Sequence, residues 1–147
     1  MAKRGKRRQV AALAYRITPE GVPLFLLISS RDTRRAVIPK GWPMKGLKDH
    51  EAAATEALEE AGVTGKVGRI SIGSYLYWKR LSDCFAFVTV DVFPLKVSGS
   101  VEGFREEGQR EIGWFKAEDA ALLVDEPLLA TMISHFSNRV GRRRKAA

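Results

Sequence analysis

The order of apolar and polar residues predicts a mixture of strands and helices. Apolar runs at 9–17 and 23–29 flank the turn sequence TPEG and have the composition of strands. Two further strand candidates follow at 66–79 and 82–97, and EIGWFKAEDA at 111–120 predicts a last strand that leads into a short helix. Without internal repeats or linkers, these segments indicate a single α/β or α+β domain over residues 1–147.

Two longer segments have helical character. Residues 49–61 are rich in Ala, Glu and Leu, with Asp49 expected to cap the start and Gly62 to take a left-handed conformation after the end. One apolar stripe of this helix should face the core: Ala53, Ala54, Ala57, Leu58 and Ala61. Residues 126–140 predict a closing amphipathic helix, with apolar residues near helical spacing at Leu128, Leu129, Met132 and Phe136.

The positive charge of the chain lies mostly at its two ends. The formal net charge is +8, yet residues 1–9 and 139–147 each hold five of the 25 Lys and Arg residues and no acid. The remaining body, 10–138, has 15 basic and 17 acidic residues, a net of −2. We expect 1–8 and 140–147 to be flexible basic tails, which either bind nucleic-acid phosphates without sequence preference or only aid solubility.

The cysteine usage and the apolar runs indicate the cellular environment. The single cysteine excludes an intramolecular disulfide, and the apolar run CFAFVTVDVF predicts that Cys84 is a core residue. The basic start is followed by only a short apolar run, so no secretory signal is expected. No stretch approaches the ~18 consecutive apolar residues of a membrane span, so no membrane association is expected and the cytoplasm is the expected location.

Three glutamates, Glu56, Glu59 and Glu60, share one face of the predicted helix 49–61. Like charges at this spacing repel one another, and taken alone the three would indicate only a solvated face. A glycine-containing turn, KGWPMKG, precedes them, however, and basic residues lie in and before it: Arg31, Arg34, Arg35, Lys40 and Lys45. Grouped carboxylates suit Mg²⁺ and basic side chains suit phosphate oxygens, so the region predicts metal-assisted attack on phosphorus.

The segment 41–63, GWPMKGLKDHEAAATEALEEAGV, resembles the Nudix box, G-x5-E-x7-R-E-U-x-E-E-x-G-U with U aliphatic. Gly41, the three glutamates, Gly62 and Val63 fall at the required positions. Leu47 replaces the first glutamate of the pattern, and Thr55 replaces an arginine that helps to hold the other glutamates in place. Across 10–137 the chain resembles the diphosphoinositol polyphosphate phosphohydrolase branch, which implies an α/β/α sandwich with a mixed central sheet.

The resemblance also implies a metal site and a catalytic base. Glu56, Glu59 and Glu60 would bind Mg²⁺, with Mn²⁺ as the alternative, and a backbone carbonyl near Lys40 or Gly41 would be a further ligand. Glu59 or Glu60 is the favoured general base. The base varies within this family, so Glu106 and Glu107 in the loop SGSVEGFREEGQ are the alternatives.

Further residues are expected to bind the rest of a small-molecule diphosphate substrate. Matching positions in the branch suggest Arg16, Ser30, Arg31 and Arg110, while chemistry alone suggests Lys40 and Lys45. A solvated surface role is an equal alternative for each basic residue. Trp42 is the best aromatic candidate for the rim of the site, where it would stack on a base.

The preferred functional prediction is a Mg²⁺-dependent pyrophosphohydrolase that acts on a diphosphoinositol polyphosphate or a dinucleoside polyphosphate. An RNA-end pyrophosphohydrolase is the first alternative, favoured by the basic tails. A non-catalytic Nudix domain that binds or senses a ligand is the second, motivated by Leu47 and Thr55.

Overall fold

The computed structural model describes residues 7–146, with side chains described through Gly141. The strands of this part are β1 (Arg8–Ile17), β2 (Pro23–Ser29), β3 (Ala36–Val37), β4 (Lys40–Gly41), β5 (Val63–Val67), β6 (Gly73–Arg80), β7 (Phe85–Ser100) and β8 (Ile112–Lys116). Its helices are α1 (Asp49–Ala61), α2 (Ala117–Leu123) and α3 (Pro127–Ala146). Most of the N-terminal tail expected at 1–8 lies outside the described residues.

All the strands of the described part belong to one mixed sheet. Its main order is β3-β2-β1-β7-β5, with β4 on β1, β6 on β7 and β8 on β2. β1 and β7 are parallel, and the other pairings are antiparallel. β2 pairs only with the last residues of β1. The same edge of β1 can therefore pair with β4 at Val10 and Ala11. This pairing fixes the start of the KGWPMKG turn at the edge of the sheet.

The sheet is covered by helices on both faces, because its strands alternate buried apolar residues. Ala11 and Leu13 of β1 face α2 and α3, where they join a core with Leu129 and Ile133. The intervening residues of β1 face the alanines of α1 in a second core: Val10, Ala12 and Ala14. The predicted α/β/α sandwich with a mixed sheet is therefore confirmed.

The prediction of one continuous strand over 66–79 was wrong, because two strands occupy this region. β5 and β6 pair in succession with the same edge of the long strand β7, and residues 68–72 loop out between them. Pro94 of β7 has no backbone N–H and can only accept a hydrogen bond there. Gly68 donates to the Pro94 carbonyl over 2.8 Å, and the register of β5 with β7 ends at the preceding pair, Val67 and Leu95.

Helix α1 occupies the predicted residues but begins differently. Lys48, not Asp49, is the capping residue. The backbone N–H of Lys48 donates a hydrogen bond to the Glu51 carboxylate over 2.8 Å. The Asp49 carboxylate instead forms an ion pair with Arg8, 2.9 Å away. At the other end Gly62 has a φ of 70°, which confirms the expected left-handed conformation.

The buried face of α1 is turned slightly from the expected stripe. Ala53, Ala57 and Ala61 are buried as expected, but Leu58 is 36% exposed and Ala54 only partly buried. Ala52 and Glu60 are buried in their place. The helix therefore directs Glu60 into the packed face, whereas the sequence placed its carboxylate beside that face.

Cys84 is exposed, so its prediction as a core residue was wrong. The apolar run at 84–93 includes the turn before β7, and the first buried residues of the strand that follows alternate with more exposed ones: Ala86, Val88, Val90 and Val92. Leu128 is also exposed, because the buried stripe of α3 passes through Leu129, Met132, Ile133 and Phe136.

Helix α3 extends to Ala146, beyond the end expected at 140. Part of the predicted basic tail 140–147 is therefore helical, while residue 147 lies outside the described residues and the flexibility of this end stays a prediction. Within residues 7–146, no helix combines the length and the apolar character needed to cross a membrane.

A pair of glycine substitutions tests how α1 is joined to the loop at 101–111. Gly62 and Gly46 both have positive φ, but a Cβ on Gly62 would overlap the Phe104 ring, whereas Gly46 faces open space. We expect Gly46→Ala to cost about 1 kcal/mol of unfolding free energy, and Gly62→Ala to cost about 1–3 kcal/mol more. Urea denaturation measures both, and equal losses would contradict a tight contact between Gly62 and Phe104.

Candidate active site

The three predicted metal-binding glutamates lie on α1 opposite the short strand β4. Glu60 is only 7% exposed, and its Oε1 accepts a hydrogen bond from the backbone N–H of Lys40 over 3.3 Å. Gly41 lies directly against Glu56, because a Cβ built on Gly41 would overlap the Glu56 carboxylate. Glycine is therefore required here by the close approach of the β4 backbone to the carboxylates.

A fourth carboxylate, Glu106, reaches the same region from the loop at 101–111. The backbone N–H of Glu106 donates to the carbonyl of Glu59 over 2.9 Å, which fixes the loop on the last turn of α1. The Glu106 side chain is mostly buried and accepts a hydrogen bond from Arg110 over 2.8 Å. Glu107 instead accepts from the backbone N–H of Gly103, so its carboxylate closes a turn within the loop.

Burial and mutual repulsion perturb two of these carboxyl groups. Burial, followed by the charge of Glu60, raises the pKa of Glu56 to about 8. Burial also raises the pKa of Glu60, although the nearby Arg110 guanidinium opposes the shift. The contact between the two carboxyl groups raises the pKa of Glu56 further and opposes the rise of the pKa of Glu60. These shifts indicate more negative charge than the surrounding protein groups compensate.

The chemistry of this cluster fits a divalent cation, although the side chains do not yet converge on one. Carboxylate oxygens are the ligands that Mg²⁺ prefers, and a cation would relieve the repulsion that raises the pKa of Glu56. Among the residues with described side chains, no group of three or more Asp, Glu, His or Cys is arranged to hold a metal ion. Metal binding would therefore require a change of side-chain conformation within this cluster.

The ammonium group of Lys40 lies over an aromatic ring and close enough to Glu60 to interact with its charge. Its Nζ lies 5.0 Å from the centre of the Tyr77 ring, and burial lowers the pKa of Lys40 to about 8 despite the nearby Glu60 charge. Trp42 is 43% exposed, and the Nζ of Lys79 lies 5.9 Å from the centre of its ring. The predicted rim residue is thus accessible and lies beside a cation.

Three of the predicted substrate residues lie at the loops near Glu106. Ser30 and Arg31 are in the turn after β2, where the Nε of Arg31 lies 4.0 Å from Glu106. Arg110 contacts both Glu106 and Glu60. Lys45 occupies an exposed position in the turn before α1. The substrate roles of these residues stay predictions.

Arg16 is the predicted substrate residue that the fold keeps apart from the glutamates. It lies five residues along β1 from Ala11, the partner of Lys40, a separation of about 16 Å at the rise of a strand. Its guanidinium lies over the Trp114 ring, 4.9 Å from the ring centre. A substrate that contacts both Arg16 and the glutamates would have to extend along the sheet.

The sequence did not identify two further ion pairs near the site. Arg35 lies 2.8 Å from Glu126, which is buried although it is charged. Arg105 lies 3.7 Å from Glu59 but remains largely exposed. Arg35 was noted only as part of a basic group, and no spacing rule connects it to Glu126 at the far end of the chain.

Comparisons with known proteins agree with this fold. No family model matches the chain. Nudix hydrolase 18, mitochondrial, of Arabidopsis thaliana is 32% identical over 124 residues, covering 80% of this chain and 68% of that protein. Diphosphoinositol polyphosphate phosphohydrolase 2 of Rattus norvegicus is 32% identical over 120 residues, covering 80% and 63% respectively.

Solved structures show the same fold at lower identity. An Ap4A hydrolase of C. elegans, in a binary complex, superposes with a TM-score of 0.66 at 21% identity, covering 91% of this chain and 97% of that one. The sequence similarity, the α/β/α fold and the glutamates on α1 together identify an enzyme with a Nudix fold. The chain belongs to the Nudix hydrolases.

The raised pKa of Glu56 predicts how the metal-free protein responds to pH. Its pKa is about 8 when folded against a reference of 4.5, so the folded protein retains this proton where the unfolded chain loses it. The contribution to stability is therefore full below pH 4.5 and is lost as pH rises through 8. In EDTA, Glu56→Gln should show a smaller fall in melting temperature between pH 5 and pH 8 than the native protein. If the melting temperatures of the two proteins changed equally with pH, the raised pKa of Glu56 would be contradicted.

Proposed function

We propose that this Nudix hydrolase is a Mg²⁺-dependent pyrophosphohydrolase that cleaves a diphosphate linkage in a phosphate-rich substrate. The observation that supports this most directly is the position of Glu56 and Glu60 against the Lys40–Gly41 backbone, with Glu59 beside them on α1. Its carboxylates suit a hard cation, and basic side chains lie close enough to contact the phosphates that such a cation would share.

The chain would contribute a metal site, a base and phosphate contacts. Glu56, Glu59 and Glu60 would hold Mg²⁺, or Mn²⁺ in its place, with a backbone carbonyl of Lys40 or Gly41. When bound, such an ion neutralises phosphate charge and lowers the pKa of a coordinated water. Arg31 and Lys40 would bind phosphate oxygens outside the metal site; the Arg31 side chain is more than half exposed, and its present partners are Glu106 and Gln109.

Glu59 is the carboxylate best placed to accept a proton from the attacking water. Glu60 is occupied by Lys40 and Arg110, and Glu106 is occupied by Arg110. Glu59 is more accessible, and its described ion-pair partner, Arg105, is itself largely exposed. A base must be able to reach the substrate, so we assign this role to Glu59 in preference to Glu60.

The names of similar proteins support two substrate classes. The rat relative is named a diphosphoinositol polyphosphate phosphohydrolase, and the C. elegans neighbour is an Ap4A hydrolase. Both compounds carry several phosphates, which agrees with the basic residues around the carboxylates. An aromatic base is present in only one of them, so Trp42 can separate the two classes.

Substitution of the glutamates tests the proposed chemistry. With Mg²⁺, Glu59→Gln and Glu60→Gln should each reduce turnover by at least ~100-fold, because one removes the base and the other a metal ligand. Phosphate or nucleotide release is measured on a panel of diphosphoinositol polyphosphates, dinucleoside polyphosphates and RNA with a 5′-triphosphate. Glu51→Gln is the matched control, since an amide oxygen preserves the cap on Lys48.

Several outcomes of this experiment would contradict the proposal. Full activity after all three glutamates are changed to Gln would exclude the proposed site. Ligand binding without turnover on the whole panel would instead favour a non-catalytic domain. Cleavage of RNA alone would favour the RNA-end pyrophosphohydrolase.

Replacement of Trp42 tests the class of substrate. If the substrate has a nucleobase that stacks on this exposed ring, Trp42→Ala should raise KM by about 10-fold, in line with the cost of losing one stacked base. The KM for a diphosphoinositol polyphosphate should change little. Trp78→Ala is the control, because this exposed ring is already stacked on Phe87. An equal effect of Trp42→Ala on both substrates would contradict base stacking.

A further inference from the structure

The position at which the Nudix box has an arginine provides no positive charge in this protein. Thr55 replaces the arginine, and its hydroxyl donates a hydrogen bond to the carbonyl of Glu51 over 2.9 Å, one turn earlier in α1. α1 contains neither Lys nor Arg, so no basic side chain of the helix itself can compensate the three glutamates. A cation that holds them must come from another part of the fold.

Arg110 occupies the position that such a cation requires. Its side chain is 9% exposed, and its Nη2 lies 3.8 Å from Oε2 of Glu60. Its Nε donates to Oε1 of Glu106 over 2.8 Å. One guanidinium therefore lies between a carboxylate of α1 and a carboxylate of the loop at 101–111, both of them largely buried.

Contacts with the end of β2 hold Arg110 in this orientation. Its Nη1 donates to the carbonyl of Ser29 over 3.1 Å. The neighbouring residue Glu111 exchanges two hydrogen bonds with Ser29: its backbone N–H donates to the Ser29 hydroxyl over 2.8 Å, and its carbonyl accepts from the Ser29 N–H over 2.9 Å. All three guanidinium nitrogens thus face protein oxygens, and the backbone beside Arg110 is anchored as well.

We infer that Arg110 is a positioning residue that performs, from the loop before β8, the role of the arginine missing at Thr55. It orients Glu60 and Glu106 and compensates their charge, so that the carboxylates keep a fixed arrangement in which Glu60 can serve as a metal ligand. The sequence had suggested Arg110 as a substrate ligand, but its nitrogens are directed to two carboxylates and a backbone carbonyl of the protein. The expected effect of Arg110 on kcat rests on the proposed function. Its expected effect on the stability of the protein rests on the structure alone.

A positioning role predicts that loss of Arg110 affects kcat much more than KM. With saturating Mg²⁺, Arg110→Ala should lower kcat by about 10–100-fold, the usual effect of losing a residue that orients metal ligands. The KM should change less than about 3-fold, since the substrate is not contacted. Arg31→Ala is the comparison: it should mainly raise KM, because Arg31 is exposed beside the same loop. A raised KM with unchanged kcat in Arg110→Ala would overturn the inference in favour of a substrate ligand.

Thr55→Arg tests whether the two positions are equivalent. In the Arg110→Ala background, this change should restore kcat at least about 5-fold, whereas in the native background it should change kcat by less than about 2-fold. A structural defect caused by loss of Arg110 would not be repaired from another element. Equal effects of Thr55→Arg in the two backgrounds, or no effect in either, would overturn the inference.

Melting temperatures provide a measurement that needs no substrate. In EDTA at pH 8, Arg110→Ala should melt below the native protein, because Glu60 and Glu106 lose their shared cation. Addition of Mg²⁺ should raise the melting temperature of the variant less than that of the native protein, because Glu60 is no longer held in place as a metal ligand. Equal responses to Mg²⁺ would overturn the inference even if the native protein showed no turnover, so failure of this inference is distinguishable from failure of the proposed function.

Arg110→Lys provides a second variant in case Arg110→Ala does not fold. Lysine keeps the charge but lacks the fork that contacts Glu60, Glu106 and Ser29 together. It should therefore retain most of the stability in EDTA and lose part of kcat. A lysine variant that matches the native kcat would show that charge alone suffices, and would overturn the positioning role.

Discussion

Burial of the Glu60 carboxylate is the interaction on which the arrangement of the site depends. A charged group in the packed face of a helix is destabilising unless hydrogen-bond donors and opposite charge surround it. Lys40 provides a backbone donor from β4, and Arg110 provides a charge from the loop before β8. Glu60 therefore joins the sheet edge and this loop to α1, and loss of either partner would leave its carboxylate less well compensated.

The sequence predicted those features that local chemistry determines. Helix α1 was found at its observed residues, because alanine, glutamate and leucine favour helix and Gly62 can take the left-handed conformation that ends it. β2 also occupies its predicted residues, starting at Pro23. The box spacing placed Glu56, Glu59 and Glu60 together because helical geometry alone fixes their relative positions.

Features that depend on contacts between distant residues were not predictable in the same way. The pairing of Arg110 with Glu60 joins segments about fifty residues apart, and no periodicity connects them. The buried face of α1 was misplaced for a related reason: a glutamate was counted as polar and outward, although its partners on other elements allow it to be buried. Cys84 was assigned to the core because an apolar run does not show where its strand begins.

The attachment of the loop at 101–111 has a consequence for the order in which the protein loses structure. The loop is joined to the end of α1 by hydrogen bonds from Val101 to Gly62 and from Glu106 to Glu59, and by the contact of Phe104 with Gly62. Much of the loop is exposed, so it can open without disturbing the cores on the two faces of the sheet. Backbone amides of the loop should then exchange with solvent sooner than those of β1 and β7. Mild denaturation would accordingly separate Glu106 and Arg110 from Glu60 while the central sheet is still folded.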